Sequence, residues 1–272
     1  MEKLRILLVT MLPLLAGACR SIECQEKPDP PSPEPEPVVK QDSTVYRSLL
    51  TVDAPCPVRS LDIFVYRTDG LKDLVAYLHA DSDSAMVSLT DTLPKMVAVV
   101  ANARGRFNPQ GLNHYDSLGE LRARLEDDTP QAPLMSGIGL LGRPVSLTPL
   151  LCTIELISVT NYYDGDVLAE NPRVWLENVN SEAEIFRDQG FTVMDAHTSK
   201  KLNLPSDIGL YTQYPHTRLY CYPNDLPNPN AGNPDTELVL QYEIEGVTRT
   251  CRRTLHPIFR GETIQLEMQL YP

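Results

Sequence analysis

Six residues near the middle of the chain have the spacing of a dinucleotide-binding loop. Residues 137–142 read GIGLLG, and Asp164 follows, as in the pattern G-x-G-x-x-G with an acidic residue about 20 positions later. Such a loop binds a pyrophosphate only when a strand leads into it and a helix follows, because the helix N-terminus holds the phosphates. Pro130 and Pro133 precede this stretch, and Pro144 follows it. The pattern therefore predicts a flexible loop at a domain boundary and no nucleotide site.

Side chains that bind metals or activate nucleophiles are scattered along the chain. The five histidines have neither H-x-H nor H-x-x-x-H spacing: His79, His114, His197, His216 and His256. The stretches 81–83 (DSD) and 164–166 (DGD) could offer oxygens to Ca²⁺, but neither lies in an EF-hand loop with a closing Glu, and turn formation explains both. No G-x-S-x-G motif occurs. We therefore expect no metal, no cofactor and no enzymatic activity.

One cysteine has the context for covalent modification. Lys3 and Arg5 precede the apolar run Ile6–Ala16, which is too short to span a bilayer, since a spanning helix needs about 20 residues. Small residues then lead into Cys19, in the order Ala-Gly-Ala-Cys. This arrangement predicts a signal peptide at 1–18 and looks like the lipobox of bacterial lipoproteins, in which Cys19 becomes the lipidated first residue. The alternative is an ordinary cleaved signal followed by a structural cysteine.

Residues 19–44 are predicted to comprise the lipidated cysteine and a Pro/Glu-rich spacer. The segment Lys27–Pro37 reads KPDPPSPEPEP, a composition that cannot bury a core and favours extended polyproline II. At about 3.1 Å per residue, an extended spacer would hold a folded body roughly 70 Å from the membrane. A proline-motif ligand for a partner domain is the alternative, although such ligands usually carry basic residues beside the prolines.

The sequence does not decide whether the remaining cysteines form disulfides. They are Cys24, Cys56, Cys152, Cys221 and Cys251. No C-x-x-C motif occurs, and the odd number leaves at least one thiol unpaired. Cys221 and Cys251 lie in two predicted strands of the same half, so a disulfide between them is possible in an oxidising compartment. Buried free thiols that pack as small apolar groups are an equal alternative.

The charge of the chain narrows the choice of partners. The formal net charge is −12. An acidic surface argues against nucleic acid, which is bound through clustered Lys and Arg. It also argues against electrostatic docking to anionic lipid, so a membrane link would be covalent.

The body of the chain reads as short strands separated by turns. Apolar runs, alternating or continuous, predict strands at Val58–Tyr66, Leu71–His79, Ala85–Thr90, Met96–Ala101, Leu150–Val159, Arg173–Val179, Thr217–Tyr222, Thr236–Glu245, Val247–Arg253 and Thr263–Tyr271. Met96–Ala101 is continuously apolar, as expected of a central strand covered on both faces. Glu245-Gly246 reads as a hairpin turn.

One helix is predicted among the strands, at Ser117–Asp127. Ser117 and Glu120 form a capping box, and an apolar stripe follows at Leu118, Leu121 and Leu125. Many short strands, one short helix and Pro/Gly-rich turns predict an all-β fold of β-sandwiches. The Pro/Gly-rich stretch Gly137–Pro149 is the predicted boundary between an N-terminal sandwich at 45–148 and a C-terminal sandwich at 149–272.

Several stretches together resemble one protein family. They are the lipobox at Cys19, LDIFVY with Gly70 after it, PKMVAVVANARG, APLMSG, LLCTIELISVTNYY, TRLYCYPN before TELVLQYEIEG, and the closing PIFRGETIQLEMQL. In this order they resemble the fimbrillin-associated anchor and accessory subunits of the type V pili of Bacteroidetes. The resemblance is a pattern of strands and turns and contains no invariant chemical motif.

The resemblance implies two tandem transthyretin-like Greek-key β-sandwich domains. It also implies a surface-exposed lipoprotein of the outer membrane that anchors or assembles a pilus and catalyses nothing. Its partners would be pilin subunits, joined by strand complementation at an exposed sheet edge. The last predicted strand ends close to Pro272, so we expect no donor segment after it, which suits a subunit that holds the pilus base.

Tyrosines in the second half suggest a different class of function. Tyr162, Tyr163, Tyr211, Tyr214 and Tyr220 could form an aromatic surface for a sugar or a protein, although core and rim positions in a sandwich are the simpler interpretation. The alternative function is therefore a surface lipoprotein that binds glycan for capture and uptake. Several exposed aromatics on one sheet face would favour that alternative. A pairable strand edge would favour the fimbrial subunit.

Overall fold

The computed structural model describes residues 45–193 and 195–272. The predicted signal peptide (1–18) and the predicted spacer (19–44), with Cys19 and Cys24, lie outside the described residues. Up to residue 149 the strands are β1 (Tyr46–Asp53), β2 (Leu61–Arg67), β3 (Leu74–Ala80), β4 (Ser84–Leu89), β5 (Lys95–Ala101), β6 (Arg122–Arg124), β7 (Met135–Leu140), β8 (Val145–Ser146) and β9 (Thr148–Pro149).

The strands after residue 149 are β10 (Cys152–Asn161), β11 (Glu170–Glu177), β12 (Val179–Asn180), β13 (Glu182–Glu184), β14 (Ala196–His197), β15 (Leu202–Asn203), β16 (Thr217–Cys221), β17 (Glu237–Ile244), β18 (Val247–Thr254) and β19 (Thr263–Leu270). The helical segments within the described residues are short 3₁₀ turns at Pro109–Gly111, Tyr115–Glu120, Leu125–Asp127 and Pro229–Ala231. The predicted all-β fold is confirmed. No helix in this part of the chain has the length and apolar character needed to cross a bilayer.

The first half contains two facing sheets, ordered β4-β1-β8 and β3-β2-β5-β7-β9. β2 and β5 lie in the interior of the larger sheet, and almost all of their residues are buried. Alternate residues of β2 explain this: Ile63 packs toward the smaller sheet with Leu50, whereas Phe64 packs on the opposite face. Both faces of the larger sheet are therefore covered, as the continuously apolar run in β5 predicts.

The second half contains two larger sheets, ordered β16-β10-β19 and β15-β11-β17-β18, and a two-stranded sheet, β12-β14. The facing sides of the two larger sheets enclose an apolar core that includes Leu156, Leu176, Leu240 and Leu266. The predicted hairpin between β17 and β18 is confirmed. Glu245 and Gly246 have φ values of +51° and +75°, and Ile244 pairs with Val247. Two consecutive positive φ angles are typical of the two-residue turn that matches strand twist.

The two halves share an apolar cluster and one small sheet. Strands up to Pro149 pair with one another, and strands from Cys152 onward pair with one another, apart from β6 with β13. The shared cluster draws Phe64 and Leu118 from the first half and Tyr222 from the second. The predicted division into domains at 45–148 and 149–272 stays a prediction.

The predicted helix at Ser117–Asp127 is wrong. Residues 115–120 form a 3₁₀ turn, 122–124 form β6, and 125–127 form a second 3₁₀ turn. In β6, Ala123 pairs with Ala183 of β13 and is buried in the shared cluster. A strand partner from far along the chain overrides a local helix preference, which is worth only tenths of a kilocalorie per residue.

The interpretation of residues 137–142 as a flexible boundary loop is also wrong. Most of this stretch belongs to β7, which pairs with β5 inside the larger sheet. A Cβ atom on Gly137 would overlap the Ser146 carbonyl oxygen, and one on Gly139 would lie 3.1 Å from Val145. The glycines therefore allow the β8 segment to approach the β7 backbone closely, which is a common reason for glycine within a strand.

Candidate functional site

Four long strands lie at the edges of the sheets. β3 and β4 border the two sheets of the first half, and β18 and β19 border the two sheets of the second half. An edge strand presents unpaired N–H and C=O groups, to which an extended segment of another chain can add. The side chains on each edge decide whether such pairing is favoured, and they differ sharply among these strands.

The edge formed by β18 is strongly charged. Its sequence VTRTCRRT contains three arginines, and nearly all of its residues are exposed. The guanidinium of Arg252 lies 2.5 Å from Glu177 and 2.9 Å from Glu237. Charged side chains along an edge are a recognised protection against pairing with another strand. β18 is therefore a poor acceptor for a donor strand.

The edge formed by β19 is occupied by side chains from β18. Arg253 donates from Nη1 to the Glu267 carbonyl oxygen at 2.5 Å. The Cys251 thiol lies 3.7 Å from the Gln269 carbonyl oxygen and donates to it. Because both carbonyls are contacted from within the same sandwich, they are not free to accept from an added strand.

The edge formed by β3 has no such protection. Its sequence LVAYLHA lacks Asp, Glu, Lys and Arg, and every residue is half-buried. At its start, the Leu74 N–H donates to Asn113 at 2.8 Å. From Val75 to Ala80, no strand among the described residues pairs with its outer side. β4, which follows β3 in the chain, is the edge of the facing sheet and is also uncharged.

The side chains of β3 are fixed by a buried carboxylate on β2. Asp62 is fully buried. Its Oδ1 accepts the Tyr77 hydroxyl proton at 2.6 Å and lies 3.0 Å from His79 Nδ1. The other ring nitrogen of His79 lies 3.2 Å from Asp81. These contacts hold β3 in place as an ordered edge.

The tyrosines singled out in the sequence do not form one cluster. Tyr162, Tyr211 and Tyr214 are exposed, whereas Tyr163 and Tyr220 are half-buried. Tyr162 stacks on Tyr271 with ring centroids 5.1 Å apart and planes within 6°. The sequence analysis counted Tyr271 as the last residue of a predicted strand and not as part of an aromatic surface, whereas β19 ends at Leu270.

The cysteines of the described residues are free thiols. Cys221 lies on β16 directly opposite Cys152 on β10, whereas Cys251 lies on β18 in the other sheet. Burial raises the pKa of Cys152 to about 12 and the pKa of Cys221 well above its ordinary value. A thiol with a raised pKa stays protonated and unreactive. The bond proposed between Cys221 and Cys251 is not formed in this structure.

Four of the five histidines lie near one or two carboxylates: His79, His114, His197 and His216. His114 lies 2.9 Å from Asp73, and His197 lies 3.0 Å from Asp195. Among the described residues, no group of three or more His, Cys, Asp or Glu side chains has the arrangement of a metal site. The features that remain as candidate binding sites are the strand edges and one sheet face.

Comparison with solved structures identifies proteins that share this fold. No protein-family model and no curated protein sequence matches the chain. A candidate cell adhesion protein of Parabacteroides distasonis ATCC 8503 superimposes with a TM-score of 0.63 at 12% identity, covering 82% of this chain and 88% of that one. This chain shares its fold.

Two further solved structures have the same architecture. A fimbrial assembly protein of Parabacteroides distasonis ATCC 8503 matches with a TM-score of 0.52 at 14% identity, over 82% of this chain and 91% of that one. A fimbrilin of Porphyromonas gingivalis W83 matches with a TM-score of 0.53 at 10% identity, over 75% and 72%. The structural neighbours are thus cell adhesion and fimbrial proteins.

Proposed function

We propose that this protein is a non-enzymatic subunit of a type V fimbrium that anchors or helps to assemble it at the outer membrane. Proteins with the same fold include a fimbrial assembly protein and a fimbrilin. The observation that carries the proposal is the contrast among the edges. Within residues 45–193 and 195–272, β3 is ordered, uncharged and, from Val75 onward, unpaired on its outer side, while β18 and β19 are protected.

Strand pairing at β3 is the proposed joint with a fimbrial subunit. An added strand would hydrogen-bond to a row of backbone groups, and its alternate side chains would contact the two faces of the sheet. Because β3 has no charged residue, the incoming strand should be uncharged where it pairs, since a charge there would be desolvated without a partner.

The membrane link is proposed to be covalent, through acyl groups on Cys19. The acidic chain disfavours adsorption to anionic lipid, and the Pro/Glu-rich spacer would carry the sandwiches away from the bilayer. Stable anchoring requires more than one acyl chain, and a diacylated cysteine supplies that. The protein would then lie at the cell surface.

Gene deletion tests this function directly. Cells that lack the gene should shed fimbriae into the medium, and the wild-type gene should restore attachment. A Cys19→Ser gene should not restore it, because its product would have no lipid. The proposal is wrong if the deletion strain keeps its fimbriae attached and if, in the wild type, the protein does not co-purify with fimbriae.

A further inference from the structure

One face of the sheet β16-β10-β19 points away from the apolar core of the second half, and at one end its Tyr220 packs against the cluster that the two halves share. Ile154 and Leu156 of β10 enter the apolar core, whereas Thr153 and Glu155 lie on the opposite face. The register places two rows of side chains across that outer face. One row is Tyr220, Thr153 and Thr263, and the other is Arg218, Glu155 and Gln265.

At one end this face forms the floor of a cleft. The cleft has a volume of about 320 Å³ and is lined by Thr153, Glu155, Arg218, Tyr220 and Thr263 of the sheet. Prolines 130, 133 and 149 supply its rigid apolar wall. Binding sites for small molecules combine apolar walls with a few convergent polar groups, at volumes of roughly 300 to 1,000 Å³.

A nearly buried carboxylate lies at the centre of the floor. Glu155 is only 6% exposed. Its Oε2 accepts from Gln265 Nε2 at 3.2 Å, and its Oε1 accepts from Arg218 Nε at 3.3 Å. The hydrogen bond from Gln265 and the charge of Arg218 lower the pKa of Glu155, so the group is ionised at neutral pH. Each oxygen keeps a lone pair for a further donor.

The chemistry of the cleft selects the class of ligand. Glu155 pairs with Arg218, and His216 Nδ1 lies 3.9 Å from Glu155 Oε1, so the cleft offers no isolated charge to an anion or a cation. The carboxylate, the guanidinium and the two threonine hydroxyls instead offer alternating acceptors and donors. Tyr220 and the prolines offer flat apolar surfaces. A ligand with hydroxyls around an apolar ring fits both parts.

We propose that this cleft binds a neutral oligosaccharide, with a pyranose ring against Tyr220 and its hydroxyls on Glu155 and Arg218. This activity is separate from strand pairing, because β3 lies in the other half of the chain. A fimbrial subunit with such a cleft would contact glycans as well as its neighbouring subunits.

An oligosaccharide array tests the proposal with the full mature protein. The probes are neutral oligosaccharides of glucose, galactose and mannose, with sialylated and sulfated counterparts. The strongest neutral probe is then titrated calorimetrically against the wild type and three variants. Arg218→Ala and Glu155→Gln should each weaken binding about tenfold or more, because each removes a charged hydrogen-bonding partner. Arg249→Ala, on β18 outside the cleft, should leave binding unchanged.

The Arg218→Ala variant separates a loss of binding from a loss of folding. Arg218 is largely exposed, so its variant should keep the wild-type melting temperature even if Glu155→Gln loses stability. The proposal is supported if a neutral probe binds the wild type, if Arg218→Ala weakens that binding, and if Arg249→Ala does not. Absence of binding to every neutral probe, or equal binding by the Arg218→Ala variant, overturns the proposal.

Discussion

Arg260 donates from Nη2 to the Ser136 hydroxyl at 2.7 Å, and this bond joins the two halves of the chain. The guanidinium is almost completely buried, and it also donates to the carbonyl oxygens of Ile185, Arg187 and Thr148. A buried cation held by carbonyls from both halves restrains their relative motion.

The Arg260 side chain should be a major source of stability. Arg260→Met leaves several carbonyls and the Ser136 hydroxyl without their donor, so the free energy of unfolding should fall by about 2–4 kcal/mol. Ser136→Ala should cost about 1–2 kcal/mol, since the Ser136 hydroxyl accepts from Arg260 and donates to the Ile185 carbonyl oxygen, and both bonds are lost. Urea unfolding of both single variants and the double variant measures the coupling. Purely additive effects would show that the two side chains do not act together.

Two glycines with different surroundings should respond differently to a methyl group. Gly137→Ala forces a Cβ atom onto the Ser146 carbonyl oxygen, so it should destabilise the protein by about 2 kcal/mol or more. Gly105 has open space around it, so Gly105→Ala should be close to neutral. Thermal melting of both variants checks this. Equal losses would contradict the close approach of β8 to β7.

The contact between Arg252 and Glu177 should make stability depend on pH. The hydrogen bond from Arg252 lowers the pKa of Glu177 below 4.5, and a bond from Trp175 adds to this. A lowered pKa means that the ionised group stabilises the fold above pH 4.5 and that this contribution is lost as the pH falls through the folded-state value.

The wild type should therefore be more stable than Glu177→Gln at neutral pH, and the difference should shrink in acid. Urea unfolding across the pH range measures it. Glu126→Gln is the control, because Glu126 is exposed and has no ion pair in the described structure. A difference for Glu177→Gln that is independent of pH would count against this ion pair.

Thiol accessibility should follow burial. Cys56 and Cys251 are half-buried, whereas Cys152 and Cys221 are fully buried. Iodoacetamide added to the native mature protein should modify the first two and leave the second two until urea is present. Mass spectrometry reads each site. A peptide pair joined through Cys221 and Cys251 before reduction would establish the disulfide and contradict free thiols.

Alternating and continuously apolar runs both predicted strands well. The alternation in residues 263–271 corresponds to β19, and the continuous apolar run at 96–101 corresponds to β5. Such patterns are local, because they record which faces a strand buries. The helix at 117–127 failed because Ala123 pairs with a partner that local sequence does not reveal.

The candidate sites were harder to predict from sequence. Gly137 and Gly139 matched a nucleotide motif, but their actual role is close contact with β8, which depends on the folded register. Tyr220 was singled out as an aromatic, yet the row of Arg218, Glu155 and Gln265 beside it comes from three strands. The spacing of residues along the chain does not reveal such a row.

Hydrogen exchange of the mature protein, alone and bound to fimbriae sheared from the cells that produce it, tests the central claim most directly. Backbone amides of β3 should become protected on binding, because an added strand hydrogen-bonds to that edge. Amides of β18 should exchange at the same rate in both states. Protection of β18 without β3, or no change at either edge, would contradict strand pairing at β3 as the way this protein joins a fimbrium.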